Sequence, residues 1–194
     1  GVTYTSNFSD NTITITNAST TAITGIEFGS GLSTGTFIAN NNIITLNQNP
    51  SAAVSAAVKG INAAYASATN TLTGNTVTFN QSTTGTGVTS SSYLGIDASG
   101  VSSAINILSN TVLVNQTTAS TSAVTSVITG IKATSASTLV NIGGSGTGNT
   151  VTVKQAVSGS GAFGSGAINY IHAAAGHGTL NITYNNINNT GSYQ

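Results

Sequence analysis

NTVTFNQ, at residues 75–81, is the motif from which the architecture of this chain follows, because it recurs as NTVLVNQ at 110–116 and NTVTVKQ at 149–155. Related stretches are NTITITN at 11–17, NIITLNQ at 42–48 and TLNITYN at 179–185. A second marker, the dipeptide Gly-Ile, keeps a period of 35 residues and begins at Gly25, Gly60, Gly95 and Gly130. Two markers with one period predict units that stack on or pair with their neighbours, rather than a scaffold around a single cleft.

The motif alternates apolar and polar side chains. In NTVTFNQ, Val77 and Phe79 flank Thr78, so one face of the segment is apolar and the other carries hydroxyl and amide groups. The same alternation holds at Ile13 and Ile15. The sequence therefore predicts an all-β chain, either a stacked β-repeat or a two-sheet sandwich of the immunoglobulin-like or pilin-like type.

One segment has a different spacing. Between residues 51 and 66, apolar side chains are separated by four, three and four positions, at Val54, Val58, Ile61 and Tyr65. This spacing is typical of one face of a helix, and the preceding Pro50 is favoured at a helix start. A short helix near 51–66 is therefore predicted.

No linker or shift in composition divides the chain into separate domains. Residues 1–20 precede the Gly-Ile series yet contain a complete alternating strand. They are predicted to form an N-terminal donor-strand segment, followed at 21–194 by a β-rich head domain with internal repeats of about 35 residues. Ile13 and Ile15 are expected to insert into a neighbouring subunit, because alternate apolar side chains set the register of an added strand.

Charged side chains are almost absent. They make up 3% of the residues, whereas an ordinary soluble domain has about 25%. The three lysines are scattered and there is no arginine, so neither nucleic acid nor an anionic membrane surface is an expected partner. No apolar run approaches the roughly 20 residues that span a bilayer. A neutral chain that is 38% hydrophobic is instead expected to fold and to associate with copies of itself.

Composition also bears on location and modification. The chain starts at Gly1 and contains no methionine, which is typical of a mature form after signal removal, so an extracellular location is predicted. The absence of cysteine leaves the redox compartment undetermined. N-linked glycans are expected because six positions match Asn-x-Ser/Thr. These positions are Asn7, Asn17, Asn80, Asn115, Asn181 and Asn188. Three of them, Asn17, Asn80 and Asn115, are expected at equivalent strand ends.

Catalytic, cofactor and metal sites are not predicted. The acids Asp10, Glu27 and Asp97 are each isolated, so no carboxylate pair for glycoside chemistry is evident. His172 and His177 have no third metal ligand nearby in sequence. Neither a nucleophile elbow in a strand-to-helix context nor a phosphate loop occurs. The chain is therefore not expected to be an enzyme.

Asparagine and glutamine recur at the ends of the strand motifs. If the units stack in register, these amides can hydrogen-bond along the stack as ladders. The two predicted ladders consist of Asn47, Asn80 and Asn115, and of Gln48, Gln81, Gln116 and Gln155. The equally weighted alternative is that these residues are ordinary strand-end turn residues.

A further column follows the Gly-Ile dipeptides, with one polar residue after each isoleucine. Its members are Glu27, Asn62, Asp97, Lys132 and His172. One interpretation is a polar ladder in which Asp97 and Lys132 pair across adjacent units. The favoured alternative is an exposed variable position, where an ion pair contributes at most about 1 kcal/mol.

The low charge, the abundance of Ser, Thr and Asn, the sequons and the strand at 11–16 resemble secreted filament subunits of thermoacidophilic archaea, of the glycosylated thread type. This resemblance implies a β-rich head that accepts the N-terminal strand of the next subunit. The repeated NTVTxNQ also resembles the Asn- and Gln-bearing repeats of curli-type amyloid fibres, although its period of 35 residues departs from the shorter curli unit.

Together these features predict a structural subunit of an extracellular pilus or thread. It would form a homopolymer by donating its N-terminal strand to a neighbouring copy, and the resemblance implies a role in adhesion or biofilm cohesion. Two alternatives stay open. One is a monomeric or cell-attached adhesin that presents its Thr/Asn face to glycans, ice or another surface, and the other is an amyloid-like β-solenoid fibre subunit.

Overall fold

The computed structural model describes residues 4–18, 21–28, 35–49, 55–64, 67–83, 90–100, 102–118, 125–157, 166–174 and 176–190. These residues form seventeen strands and no helix. The strands are β1 (Thr5–Ser9), β2 (Thr12–Asn17), β3 (Ile23–Glu27), β4 (Thr36–Asn40), β5 (Ile43–Gln48), β6 (Ala57–Asn62), β7 (Ser67–Thr73), β8 (Thr76–Thr83), β9 (Ser92–Asp97), β10 (Ser102–Leu108), β11 (Thr111–Thr118), β12 (Val127–Ala133), β13 (Leu139–Ile142), β14 (Thr150–Val157), β15 (Ile168–Ala173), β16 (Thr179–Ile182) and β17 (Asn186–Asn189).

Successive strands join three different sheets in rotation. Sheet A contains β1, β4, β7, β10, β13 and β16, sheet B contains β2, β5, β8, β11, β14 and β17, and sheet C contains β3, β6, β9, β12 and β15. Every described pairing is parallel and joins strands one turn apart. The chain is therefore a parallel β-solenoid, which confirms the stacked β-repeat and not the two-sheet sandwich.

The predicted helix near 51–66 is wrong over the described residues 55–64, which include strand β6. Val58 and Ile61 are both fully buried, although residues three apart on a straight strand point to opposite faces. The inward alternation breaks between Gly60 and Ile61, where consecutive residues are buried. A break in a strand therefore produced the spacing of three that resembled a helix, while Val54 and Tyr65 lie outside the described residues.

The interior consists of apolar columns with one side chain from each turn. In sheet B, for example, Ile44, Val77, Val112 and Val151 are in register and fully buried. The columns of the three sheets meet in one continuous core. Each strand contributes its apolar face to this core, as the alternating sequence pattern predicted.

The Gly-Ile period has a steric cause. Gly25, Gly60, Gly95 and Gly130 lie in sheet C and face the Ile44, Val77, Val112 and Val151 column of sheet B. A Cβ atom at Gly25 would lie 2.6 Å from Ile44 Cγ2 and 2.7 Å from the carbonyl oxygen of Gly60. Real Cβ atoms do not approach so closely, so sheets B and C can adopt this spacing only where sheet C has no side chain.

Replacing Gly95 with alanine tests this close approach. The added methyl group would meet Val112 and the carbonyl oxygen of Gly130, so we expect the free energy of unfolding to fall by about 1–3 kcal/mol. Denaturant unfolding followed by circular dichroism measures the loss. The matched control is Gly144→Ala, whose methyl group would meet only the Thr147 hydroxyl among the described atoms. Equal losses in the two variants would contradict the role given to the glycine column.

Candidate functional site

A ladder of asparagines occupies the corner between sheets A and B. It contains the asparagine that directly precedes each strand of sheet B: Asn11, Asn42, Asn75, Asn110, Asn149 and Asn185. We call this set the corner ladder. The Nδ2 of every member except the last, Asn185, donates to Oδ1 of the next member, at 2.8–3.0 Å. The main-chain N–H of each donor residue bonds the same Oδ1, at 2.9–3.1 Å.

The second Nδ2 hydrogen of each inner member also has a partner. Asn75 donates to the carbonyl oxygen of Ala39 at 2.6 Å, and Asn110 donates to that of Leu72 at 2.7 Å. An amide therefore uses both donor hydrogens and accepts twice at Oδ1, in a site closed to water. The asparagine side chain offers two donors and one acceptor oxygen on a short stem, a combination that a carboxylate or a hydroxyl lacks.

Backbone conformation explains how the chain reaches this corner. The residue before the corner asparagine takes a left-handed conformation at Asp10 (φ 60°), Asn41 (φ 54°), Gly74 (φ 68°), Ser109 (φ 56°) and Tyr184 (φ 56°). Glycine, asparagine and aspartate enter this region most readily. This ladder was not predicted from the sequence, although an asparagine at the start of five strand motifs was a visible signal.

The predicted strand-end ladders are present. Asn80 donates to Asn47, and Asn115 donates to Asn80, each at 2.9 Å. The glutamine ladder runs from Gln155 to Gln116 and from Gln116 to Gln81, each step at 2.8 Å. A further ladder that sequence reasoning missed links Asn181, Asn141 and Asn106 on sheet A. In these ladders each side-chain amide donates to the turn before it, whereas in the corner ladder each amide donates to the turn after it.

Gln48 is in register with Gln81 and also has a partner from sheet C. Its Oε1 accepts a hydrogen bond from the Tyr93 hydroxyl at 2.7 Å, within the core. Burial raises the pKa of the Tyr93 phenol well above its usual value, against the smaller effect of hydrogen bonds with the side chains of Ser91 and Gln116. Tyr93 therefore joins sheet C to the glutamine ladder of sheet B in its neutral form.

The polar column of sheet C is in register, as predicted, from Glu27 to His172. Its predicted ion pair is not the one observed, because Asp97 lies 4.0 Å from Lys59 rather than against Lys132. Lys59 reaches Asp97 diagonally from the adjacent strand, since its own register partner is Leu94. The exposed-position alternative is also inadequate, because Asn62 and Asp97 are buried.

Among the residues that the structure describes, no group of three His, Cys, Asp or Glu side chains lies close enough together to hold a metal ion. His172 is exposed, whereas the His177 Nε2 lies 3.1 Å from the carbonyl oxygen of Ala133. Two open depressions of about 350 and 360 Å³ each contain one lysine and no acidic side chain. None of the described segments forms a helix that could span a membrane.

The candidate glycosylation sites occupy several environments. Asn7 lies on β1, Asn188 lies on β17, and Asn17 donates to the Thr21 hydroxyl at 2.9 Å. The expected equivalence of three strand ends is wrong, because Asn17 is in register with Gln48, whereas Asn80 is in register with Asn47 and Asn115. Asn80, Asn115 and Asn181 donate through Nδ2 within ladders. Glycosylation at any site stays a prediction.

The two ends of the solenoid differ from its middle. We call the outer side of β1, β2 and β3 the head surface, and that of β15, β16 and β17 the tail surface. One core column runs through Phe8, Ala39, Leu72, Ile107, Ile142 and Ile182. Its inner members are 0% exposed, whereas Phe8 is 42% exposed and Ile182 is 43% exposed. The main-chain groups on these outer strand edges also lack a neighbouring strand among the described residues.

The predicted insertion residues Ile13 and Ile15 lie on β2 at the head surface. Their strand pairs in register with β5 of the same chain, from Thr12 opposite Ile43 to Asn17 opposite Gln48. Both isoleucines are half-buried and pack against the core of their own chain. One side of the N-terminal strand is therefore already paired internally, and its other side belongs to the head surface.

Comparison with known proteins gives no match to a protein-family model, to a curated protein or to a solved structure. The function must therefore follow from the ladders and the two end surfaces themselves.

The variant Asn110→Ala tests the corner ladder. It removes the acceptor for Asn75 and the donor to Asn149 inside the core, and we expect a loss of at least about 2 kcal/mol in the free energy of unfolding. The matched control is Asn115→Ala, in the same turn but half-exposed, where water replaces the lost bond and the expected loss is below about 1 kcal/mol. Denaturant unfolding measures both. A larger loss for Asn115→Ala would contradict the account.

The burial of the Tyr93 phenol predicts that the free energy of unfolding falls at alkaline pH. The folded state disfavours the charged phenolate, so from about pH 10 the unfolded chain loses this proton first and stability falls by up to ~1.4 kcal/mol per pH unit. In the variant Tyr93→Phe, this contribution to the dependence of the free energy of unfolding on pH disappears. The variant also loses about 1–3 kcal/mol at neutral pH, because the Gln48 amide loses its partner. Melting temperatures between pH 8 and 11 measure both effects, and identical alkaline slopes would refute this assignment.

Proposed function

We propose that this chain is a structural subunit of an extracellular filament, and that copies join end to end through the head and tail surfaces. The observation that carries the proposal is the exposure of one core column at both ends, at Phe8 and Ile182, while its inner members are sealed. Another solenoid turn placed on either surface would bury these side chains and pair the open strand edges. Open parallel edges of this kind favour the addition of further strands.

The low charge supports self-association. The whole chain has six charged side chains and no net charge. Two copies can therefore approach end to end with little electrostatic repulsion, which normally keeps soluble proteins apart. Because the head and tail surfaces are different, their contact is head-to-tail, and such a contact continues into an open filament unless the rotation closes a ring.

Strand donation is the other mode of assembly, with Ile13 and Ile15 as the inserting residues. It requires β2 to leave its pairing with β5 or to pair with a second chain through its outer edge. End-to-end stacking keeps all internal pairing. We therefore favour stacking, which corresponds to the solenoid-fibre alternative of the sequence prediction.

An adhesin is the second candidate function, and it is favoured by the outward face of sheet B. Thr14, Thr45 and Thr78 form a threonine column in register, and Thr152 lies farther along the same column. Regular hydroxyl groups on parallel strands could contact a glycan or another ordered surface. Leu113 interrupts the column, which makes this face less regular than the ladders inside the solenoid.

Extracellular location and N-linked glycosylation belong to the same proposal. They are supported by the charge-poor composition and by the six sequons. A glycan on Asn7 would project from exposed side-chain atoms at the edge of the head surface. Glycans on such positions add solubility to a surface with few charges.

Electron microscopy of the native chain and of a chain lacking residues 1–18 tests the proposal. The native chain should form ordered filaments, and dispersed particles at high concentration would instead favour the adhesin. The deletion should still form filaments under stacking, because Asn42, Ile44 and Leu46 then take the places of Asn11, Ile13 and Ile15 at the head. If the deletion yields only soluble subunits while the native chain polymerises, strand donation is correct.

A further inference from the structure

We infer that copies stack in a single register, in which Asn185 of one copy continues the corner ladder into Asn11 of the next copy. This inference rests on the proposed end-to-end assembly and adds its geometry. The partner is a second copy of this chain, whose β1 pairs with β16 and whose β2 pairs with β17. Sheet C has five described strands rather than six, so this register leaves one strand position open between β15 and the β3 of the next copy.

The polarity of the corner ladder carries the first step. Inside the chain, Asn149 donates through Nδ2 to the carbonyl oxygen of Ile107 and to Oδ1 of Asn185, at 2.8 and 2.9 Å. Asn185 repeats the first of these bonds, to Ile142 at 2.8 Å. By the same pattern, its second Nδ2 hydrogen and its main-chain N–H point to a further turn. The tail surface therefore presents ladder donors.

The head surface presents the matching acceptor. Asn11 donates to Asn42 through both its main-chain N–H and its Nδ2. Its Oδ1 occupies the position that accepts two bonds in every inner member, and no described residue donates to it. Asn11 and Asn185 also lie at the same corner, between sheets A and B. When the head surface of one copy lies on the tail surface of another, Asn11 Oδ1 can therefore accept from both the Nδ2 and the main-chain N–H of Asn185.

The apolar columns indicate the same register. When Asn185 meets Asn11, Phe8 of the next copy follows Ile182, and Ile13 of the next copy follows Ile187, because these residues close the same columns. Ile187 is 49% exposed in the single chain. A slip of one residue would turn these side chains to the opposite face, and a slip of two would separate the ladder donors from their acceptor.

Paired charges at the junction test this register. Phe8→Lys and Ile182→Glu each place a lone charge where stacking removes water, so each should raise the critical concentration for filament formation by about tenfold or more. The double variant Phe8→Lys/Ile182→Glu should restore assembly, because the lysine of one copy then faces the glutamate of the next. Phe8→Lys/Ile187→Glu is the out-of-register control and should stay impaired.

Sedimentation and electron microscopy measure assembly, and circular dichroism shows that each variant is folded. Phe8→Leu should assemble normally, which separates the effect of charge from loss of the edge contact between Phe8 and Phe28. Equal rescue by both double variants, or no rescue by either in folded protein, would overturn the register while leaving stacking intact. If the native chain itself stays in single copies, the proposed filament fails first.

Discussion

Each turn of the solenoid bends sharply from sheet A into sheet B, and this bend leaves a buried main-chain N–H that no strand can pair. The corner asparagine of the adjoining turn supplies the missing acceptor, as Asn110 Oδ1 does for the N–H of Asn75 at 2.9 Å. The same amide also donates twice, so the side-chain amides of the inner ladder members and the N–H groups that they accept from are all paired. A buried polar network stabilises a fold only when its members are all paired. Most of the interior depends on this constraint.

A second constraint acts where sheets B and C approach each other. The glycine column admits the branched side chains of Ile44, Val77 and Val112 and repeats every 35 residues for that reason. The two constraints also explain why the head and tail surfaces favour association with another copy. A structure whose turns satisfy one another leaves its first and last turns incomplete, and six charged side chains provide little repulsion against another copy.

The sequence was sufficient to predict the strands, the repeat and two amide ladders, because the alternation of side chains and the period of the motifs are both visible in the sequence itself. Sequence reasoning missed the corner ladder because an asparagine directly before a strand resembles an ordinary turn residue. It predicted a helix because Val58 and Ile61 are three apart, a spacing that a broken strand also produces. One of its two interpretations of the sheet C column paired Asp97 with Lys132 rather than Lys59, because alignment alone does not show a diagonal contact.

A filament reconstruction at side-chain resolution tests the central claim most directly. The account predicts that the parallel strands of sheets A and B continue across each junction at the ordinary spacing of about 4.8 Å, with Asn185 of one copy bonded to Asn11 of the next. Junctions in which β2 has left its own chain to pair inside a neighbour, or in which the two end surfaces do not touch, would contradict it.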